Sequence, residues 1–527
     1  MLSLHTALIV LTVISFIAYC VSSIKFIHFF QLNSYQLKSH TTWVKRNTKK
    51  LLPNILFGIL TLILAMQNNA IAVILANIIM LVSIYFVKPQ KAKKPLVYTM
   101  RIKRFIATHT VLFVLIILAA HFASNAAYGA LAAFTLCPFI IFVTAAINAP
   151  IEKGVKTHYI NDAKKMLKSC PNLKIIGVTG SYGKTSVKYC LTSLLKTRYN
   201  VLMTPESYNT PMGVVKTIRE NLSAVHEIFV CEMGARHVGD IKEICDIVNP
   251  SDGVITSVGP QHLETFKTLD NIKNTKFELA DAVQNSNGGK MFLNCEDENV
   301  YTHALKKYNK LSGKNTVTYS ISKDTDYKAF NITASSMGTS FTVSAPNGET
   351  EDFSTPLVGK HNVINVLGAI AVAHTFNIPL KELCIPVKRL KSVPHRLELK
   401  DGKNACIIDD AYNANPFGTK AALETLALFD GFKITVTPGM VELGDKMEEC
   451  NREFGRNLSN VCDYVILVGQ KQAEDILKGL RDNNYPSSKI FVADTVEQAI
   501  QKAYGINSDG RKKYILLEND LTDNYIS

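Results

Sequence analysis

The residues with the clearest chemistry form a short glycine-rich loop, Thr179-Gly-Ser-Tyr-Gly-Lys-Thr-Ser186. It follows an apolar stretch typical of a strand and precedes a stretch with helical spacing, which is the setting of a phosphate-binding loop. Backbone N–H groups and the helix N-terminus would bind phosphate oxygens. Lys184 would neutralise charge on the β- and γ-phosphates, and the Thr185 hydroxyl would coordinate Mg²⁺. The predicted nucleotide site comprises Gly180, Ser181, Gly183, Lys184, Thr185 and Ser186.

A second candidate ligand for the metal is the carboxylate of Glu232, at the end of another predicted strand. Mg²⁺ prefers hard oxygen ligands, and a strand end beside the phosphate loop is where such a ligand is needed. The alternative interpretation is a solvated acid in a turn. The loop itself departs from the common pattern G-x-x-x-x-G-K-[ST], because Val178 occupies the position of the first glycine.

This shortened loop resembles that of the Mur ligase family, the ATP-dependent ligases of peptidoglycan precursor synthesis. The resemblance extends from about residue 172 to 520. The string Ile408-Asp-Asp-Ala-Tyr-Asn-Ala-Asn-Pro416 is nearly the D-D-x-Y-N-A-N-P of the member that adds a D-alanyl-D-alanine dipeptide. Pro438-Gly-Met-Val-Glu-Leu-Gly444 is similar to the family's G-x-M-x-E-L-G, and we interpret it as a strand-to-helix turn that lines the cleft.

The resemblance also implies roles for individual residues. Glu232, in Glu232–Ile241, would bind Mg²⁺, and His262, in Val258–Glu264, would bind a second Mg²⁺. Lys276, in Asn274–Glu278, would be carbamylated and would help to hold that second ion. The expected metal ligands are therefore Thr185, Glu232, His262 and Lys276.

Further implied roles concern the nucleotide. Asn362, in Gly359–Asn365, would lie by the adenine, and Asp410 would contact the ribose. Arg396, in Pro394–Glu398, would reach the γ-phosphate when the C-terminal domain closes. Asn413 and Asn415 would shape the cleft between the domains. The expected catalytic groups are Lys184, Lys276, Arg396 and His262.

The implied reaction begins with transfer of the γ-phosphoryl group of ATP to a substrate carboxylate. The amine of an amino acid or dipeptide then attacks the acyl phosphate. Two departures from the family bear on the substrates. Apolar runs occupy 1–150, where the family has a domain for the UDP-sugar, so the carboxylate substrate is either UDP-linked or lipid-linked. The segment 516–525 contains acidic residues, whereas the family's dipeptide-adding member has a Lys-Gly-Ser-Arg-like strand end at this place. The change of charge favours a different or cationic amine as substrate.

Short apolar strands alternate with helical stretches after about residue 172, a pattern that predicts a parallel sheet covered by helices. A polar stretch at 310–353 suggests a small antiparallel insertion, and a second α/β pattern begins near 393. The expected fold is multi-domain, with an α-helical transmembrane region, an α/β P-loop ATPase domain and an α/β Rossmann-like C-terminal domain. Their predicted extents are 1–150, 172–392 and 393–527, with a linker at 151–171.

Five apolar runs, at 4–24, 52–67, 69–87, 106–123 and 128–148, are each near the length of a membrane span. The first run is a signal peptide or, because other spans follow it, an anchor. Lys and Arg concentrate in 25–51 and 88–105, so the positive-inside rule places these loops and the α/β domains in the cytoplasm. The basic loops either bind anionic lipid headgroups or only set topology.

The net charge of +14 does not indicate nucleic acid. Residues 1–160 contain 15 Lys and Arg but one acid, Glu152, whereas the remainder contains 43 residues of each sign. The 11 cysteines include no C-x-x-C pair, so neither a disulfide framework nor a zinc site is expected. Three hypotheses remain: a membrane-anchored amide ligase of envelope synthesis, a ligase that extends an anionic polypeptide or another envelope polymer, and a membrane nucleotide sensor or scaffold.

Overall fold

A computed structural model describes residues 3–89, 95–284, 286, 288–308, 315–403, 405–412, 414–470 and 473–519. The chain divides into two compact units, Met1–His158 and Tyr159–Ser527. The first unit is helical, and the second contains two α/β sheets.

The first unit contains the apolar helices. Its elements are α1 (Leu4–Leu32), α2 (Leu37–Arg46), α3 (Leu52–Ala65), α4 (Ala70–Val87), α5 (Met100–Ala123) and α6 (Ala126–Lys168). Each of the five predicted apolar runs lies in a helix over most of its length. By length and apolar composition, α1, α4, α5 and α6 could each cross a membrane. The 14-residue α3 has a length of about 21 Å, which is shorter than a typical hydrocarbon core. The predicted linker at 151–171 is helical as far as Lys168, because α6 continues through Pro150.

Some polar side chains of this helical unit form hydrogen bonds or ion pairs with neighbouring helices. Asn54 donates to the Ser22 hydroxyl at 2.7 Å and to the Phe134 carbonyl at 3.0 Å. Glu152, the one acid before residue 160, pairs with Arg104 at 2.7 Å and lies 3.6 Å from Arg101. These contacts fix the packing of helices whose surfaces are otherwise apolar.

The second unit begins with a nine-stranded sheet over the described residues. Its strands are β1 (Lys174–Thr179), β2 (Val201–Met203), β3 (Ile228–Glu232), β4 (Asp252–Ile255), β5 (Met291–Asn294), β6 (Thr316–Ser320), β7 (Tyr327–Ser335), β8 (Gly338–Ser344) and β9 (Thr350–Thr355). The helices are α7 (Lys184–Leu195), α8 (Pro211–Asn221), α9 (Asp240–Val248), α10 (Leu263–Phe266), α11 (Leu269–Gln284), α12 (Glu298–Tyr308), α13 (Lys360–Thr375) and α14 (Leu380–Lys388).

The strand order is β2-β3-β1-β4-β5-β6-β7-β8-β9. Pairing is parallel from β2 to β7 and antiparallel from β7 to β9. The antiparallel stretch expected at 310–353 is therefore an extension of the main sheet, which it joins through β6. Because β1 lies between β3 and β4, the loops after these three strands meet at one edge of the sheet.

A six-stranded sheet of order β10-β11-β15-β12-β13-β14 follows. Its strands are β10 (Glu398–Asp401), β11 (Ala405–Asp410), β12 (Phe432–Thr437), β13 (Tyr464–Val468), β14 (Ile490–Ala493) and β15 (Lys513–Glu518). The helices are α15 (Pro416–Ala427), α16 (Met447–Val461), α17 (Ala473–Asp482) and α18 (Val496–Gly505). All pairings are parallel except that of β10 with β11. The second α/β pattern predicted from about residue 393 is thus present.

Candidate active site

The glycine-rich loop connects β1 to α7 and is held in place by the neighbouring strand. The Tyr182 N–H donates to the Ser257 hydroxyl at 2.8 Å, and the Thr256 hydroxyl donates to the Tyr182 carbonyl at 2.5 Å. Gly183 has φ = 79°, a conformation that favours glycine. A Cβ at Gly180 would lie 2.1 Å from the Thr256 hydroxyl oxygen, so no larger residue fits there. The loop is therefore preformed, with the helix N-terminus behind it.

Lys184 begins α7, and its ammonium faces back across the loop. Its Nζ donates to the Gly180 carbonyl at 2.7 Å and to the Ser181 carbonyl at 3.0 Å. Burial lowers the pKa of Lys184 to about 8; the charge of Glu232 opposes this shift and that of Arg396 adds to it. Phosphate oxygens would provide the negative partner that this buried ammonium lacks.

Glu232 ends β3 directly beside the first turn of α7. Its Oε1 accepts hydrogen bonds from the Thr185 hydroxyl at 3.2 Å and the Asn209 amide at 2.9 Å. Its Oε2 lies 3.1 Å from Lys188 Nζ, and both of these side chains are buried. A hydroxyl and a carboxylate already in contact are a donor set that fits Mg²⁺. Sequence reasoning did not single out Asn209 or Lys188; the spacing of Lys188, one helical turn after Lys184, was the available signal.

Lys276 lies on α11 with only 2% of its surface exposed. Burial holds its pKa well below the usual range; the charge of Lys184 lowers it further, while those of Asp240 and Glu278 oppose the shift. Burial therefore favours the neutral amine form of Lys276. That is the form of a lysine that reacts with carbon dioxide to give a carbamate.

His262 precedes α10 and is also largely buried. Burial lowers its pKa, an effect that Glu442 opposes and that the charges of Arg236 and Lys184 reinforce. The neutral ring is the form of histidine that binds metal ions. His262 Nδ1 is hydrogen bonded to Glu442 Oε2, which belongs to the segment after β12 in the second sheet.

Of the two asparagines near the start of α13, Asn365 lies against the phosphate loop. A Cβ at Gly183 would lie 2.7 Å from Asn365 Oδ1. Asn362, the residue favoured from sequence, donates to the Val358 carbonyl at 2.9 Å. Asn365 is thus a neighbour of the loop, although the sequence favoured Asn362.

Arg396 and Asp410 lie together at the start of the second sheet. The Arg396 guanidinium is 4.1 Å from the centre of the Tyr412 ring. Asp410 ends β11 and accepts a hydrogen bond from the Leu397 N–H at 3.2 Å. Burial raises the pKa of Asp410 to about 6, against the opposing charge of Arg396.

Glu518, at the end of β15, is the register partner of Asp410 and was not singled out from sequence as a site residue. Burial and the charge of Asp410 raise the pKa of Glu518 well above its usual range, so the protonated form of this carboxyl is favoured. Of the two cleft asparagines, Asn413 lies outside the described residues. Asn415 accepts from the Gly418 N–H at 2.8 Å, which makes it the N-cap of α15.

Comparisons with known proteins agree with this arrangement. Residues 178–373 match the Mur ligase middle domain, and residues 395–516 match the Mur ligase, glutamate ligase domain. A UDP-N-acetylmuramoyl-tripeptide--D-alanyl-D-alanine ligase of Buchnera aphidicola is 30% identical over 333 residues, which are 63% of this chain and 71% of the relative. The chain belongs to the Mur ligase family. It is therefore an ATP-dependent ligase.

Other similarities point the same way. The Bacillus subtilis ligase of the same name is 32% identical over 56% of this chain and 63% of its own length, so this chain spans about two thirds of the curated relatives it matches. MurF from Acinetobacter baumannii superposes with a TM-score of 0.62 and 25% identity, over 69% of this chain and 77% of that one. MurF ligase from Thermotoga maritima, solved in complex with ADP, superposes with a TM-score of 0.60 and 26% identity. The match covers 70% of this chain and 81% of that one.

Proposed function

We propose that this protein joins the carboxylate of a peptidoglycan precursor to an amine through an acyl phosphate. The observation that supports this best is the group of side chains around the phosphate loop: Lys184, the Thr185–Glu232 contact, the buried Lys276 and His262. The curated relatives are named for joining D-alanyl-D-alanine to a UDP-N-acetylmuramoyl-tripeptide. These two compounds are the first substrates to test.

In the first step, a substrate carboxylate oxygen attacks the γ-phosphorus, and the bond to the ADP oxygen breaks. The loop N–H groups and Lys184 bind the phosphates, and Arg396 offsets charge on the group in transfer. Mg²⁺, when bound to Thr185 and Glu232, supplies further charge neutralisation. His262 and carbamylated Lys276 would hold a second ion, while Asn362 and Asp410 would contact the adenine and ribose.

In the second step, the amine attacks the acyl carbon, the bond from that carbon to the phosphate oxygen breaks, and the proton on the nitrogen passes to the departing phosphate. Closure of the two α/β domains would keep water from the acyl phosphate. Contacts across the domains support such closure, because the Tyr182 ring in the loop stacks on Phe417 of α15 with centroids 5.8 Å apart. Positioning and charge neutralisation therefore account for the whole reaction.

Glu518 supports a second candidate for the amine. It is 1% exposed, and the charge of Arg396 only partly opposes the rise in its pKa. A base stands at this strand end in the family's dipeptide-adding member. When ionised, the carboxyls of Asp410 and Glu518 would repel a free carboxylate and attract a cation. We infer that an amine with an additional positive charge, or another envelope polymer as acceptor, is the alternative to D-alanyl-D-alanine.

We propose that the helical unit anchors the enzyme in a membrane, with the catalytic domains in the cytoplasm. Four helices with the length and composition of spans support this, as do the basic segments at 25–51 and 88–105. Membrane lipids would then be partners, and the carboxylate substrate would be lipid-linked or UDP-linked. A nucleotide sensor would have no use for Lys276 and His262, which argues against that class.

The decisive experiment measures phosphate release by the full-length protein in lipid nanodiscs. ATP is supplied with UDP-linked or lipid-linked muramoyl tripeptide, and with D-alanyl-D-alanine or a dipeptide that ends in lysine amide. Release that requires both substrates is expected, and it should be lost in Lys184→Ala but kept in Lys196→Ala, an exposed position on the same segment. ATP binding without release for any pair would favour the sensor and refute the ligase.

A further inference from the structure

Glu442 lies in the segment Pro438–Gly444, which follows β12. Asn451 holds this segment, because its side chain accepts from the Met440 N–H at 2.9 Å and donates to the Met440 carbonyl at 3.0 Å. Asn451 is itself fully buried. Glu442 has φ = 63°, in the left-handed region. The carboxylate is therefore presented from a fixed point of the C-terminal domain.

His262, from the middle domain, has the same unusual backbone conformation, with φ = 55°. Its side chain is 15% exposed and that of Glu442 is 27% exposed. Non-glycine residues keep this conformation only where the surrounding structure determines it, and such residues cluster at functional sites. Two of them are joined here by one hydrogen bond across two domains.

This hydrogen bond determines which nitrogen of His262 remains available. A carboxylate accepts only from an N–H, so Nδ1 carries the proton and Nε2 keeps its lone pair. Histidines that bind metals through one nitrogen commonly donate the other N–H to a carboxylate, which fixes the ring and its tautomer. His262 follows Gly259 by three residues, and the Gly259 N–H donates to the Ser181 hydroxyl of the phosphate loop at 3.0 Å, which places this segment beside the loop.

We propose that Glu442 is a positioning residue that orients His262 Nε2 toward the second metal ion. This inference rests on the metal-binding role proposed above for His262. Because Glu442 belongs to the C-terminal domain and His262 to the middle domain, the second metal site is complete only when the two domains meet. Domain closure and binding of the second ion then favour each other.

The test uses Mn²⁺ as the probe, with the full-length protein in nanodiscs and a non-hydrolysable ATP analogue present. Free Mn²⁺ is measured by electron paramagnetic resonance, and ¹⁴N coupling to bound Mn²⁺ reports a histidine ligand. Two ions are expected to bind the wild type, with ¹⁴N coupling, and one ion without coupling is expected for His262→Ala. Glu442→Ala should lower the affinity for the second ion by roughly 10- to 100-fold.

Glu442→Gln tests the hydrogen bond itself, since an amide oxygen still accepts from Nδ1–H. It should recover most of the affinity lost in Glu442→Ala. Glu449→Gln, an exposed position seven residues on, should behave as wild type. Wild-type affinity and ¹⁴N coupling in Glu442→Ala would overturn the positioning role while leaving the ligase intact. A second ion that persists in His262→Ala would overturn the metal assignment itself.

Discussion

The buried ion pair beneath the phosphate loop offers the sharpest test of the site. Lys188 and Glu232 are 0% and 1% exposed, with Nζ and Oε2 3.1 Å apart. Lys188 also donates to the Glu206 carbonyl at 2.6 Å. In Lys188→Met the side-chain volume is nearly kept, but Glu232 becomes a buried carboxylate without a cation. The protein should therefore unfold more easily.

Loss of one partner from a buried pair costs about 3–5 kcal/mol. For a domain of 150–250 residues, each kcal/mol lowers the unfolding midpoint by roughly 2–4 °C, so the expected fall is on the order of 6–20 °C. The double variant Lys188→Met/Glu232→Gln should lose less than the sum of the single variants, because no unpaired charge remains. Lys196→Met, at the exposed C-cap of the same helix, should change the free energy of unfolding by no more than about 0.5 kcal/mol.

Magnesium distinguishes a structural pair from a metal site. If Glu232 binds Mg²⁺ together with Thr185, the ion supplies the missing positive charge. The loss of stability in Lys188→Met should then be smaller at saturating Mg²⁺. Thermal unfolding of the full-length protein, with and without Mg²⁺, measures both effects. A loss below about 1 kcal/mol would refute the argument from burial. A loss of stability of about 3–5 kcal/mol that is the same with and without Mg²⁺ would refute Glu232 as a metal ligand.

Three further predictions concern the rest of the site. Lys276→Ala should abolish turnover, with partial rescue by small carboxylates; unchanged turnover would exclude a carbamate. Glu518→Lys should raise kcat/KM for D-alanyl-D-alanine relative to kcat/KM for a cationic amine by about tenfold, equivalent to about 1.4 kcal/mol. An unchanged ratio of these two values would contradict the proposed charge selection. The pKa of Asp410 is raised to about 6 in the fold from 3.8, so the folded state binds this proton more tightly and stability falls as pH rises from about 4 to about 6. Asp410→Asn should remove that part of the pH dependence in a series of unfolding midpoints; an unaltered slope would contradict the assignment.

Much of the catalytic half could be predicted because its motifs follow strands. Parallel strands end at one edge of a sheet, so a loop after β1 and an acid ending β3 must meet, as Thr185 and Glu232 do. Local patterns specify such positions. The two α/β patterns predicted to begin near residues 172 and 393 correspond to the sheets whose first strands are β1, from Lys174, and β10, from Glu398.

Contacts over long separations in the chain could not be predicted in this way. Nothing in the turn at Glu442 indicates a partner 180 residues earlier, since the pairing depends on how two domains meet. Asn362 and Asn365 occupy one helix three residues apart, and only packing shows which lies against Gly183. The end of α3 could not be predicted either. The helix ends at Ala65, whereas the predicted apolar run continues to residue 67.

Lys184 has a thermodynamic consequence for nucleotide binding. Its ammonium is held by two loop carbonyls, and its pKa of about 8 means that near pH 8 about half of the molecules carry a neutral amine there. Arrival of phosphate oxygens restores the charged form, so binding takes up on the order of half a proton from the buffer. The heat of nucleotide binding should therefore vary with the ionisation enthalpy of the buffer. The lysine that neutralises phosphate is also the group through which solution pH acts on ATP affinity.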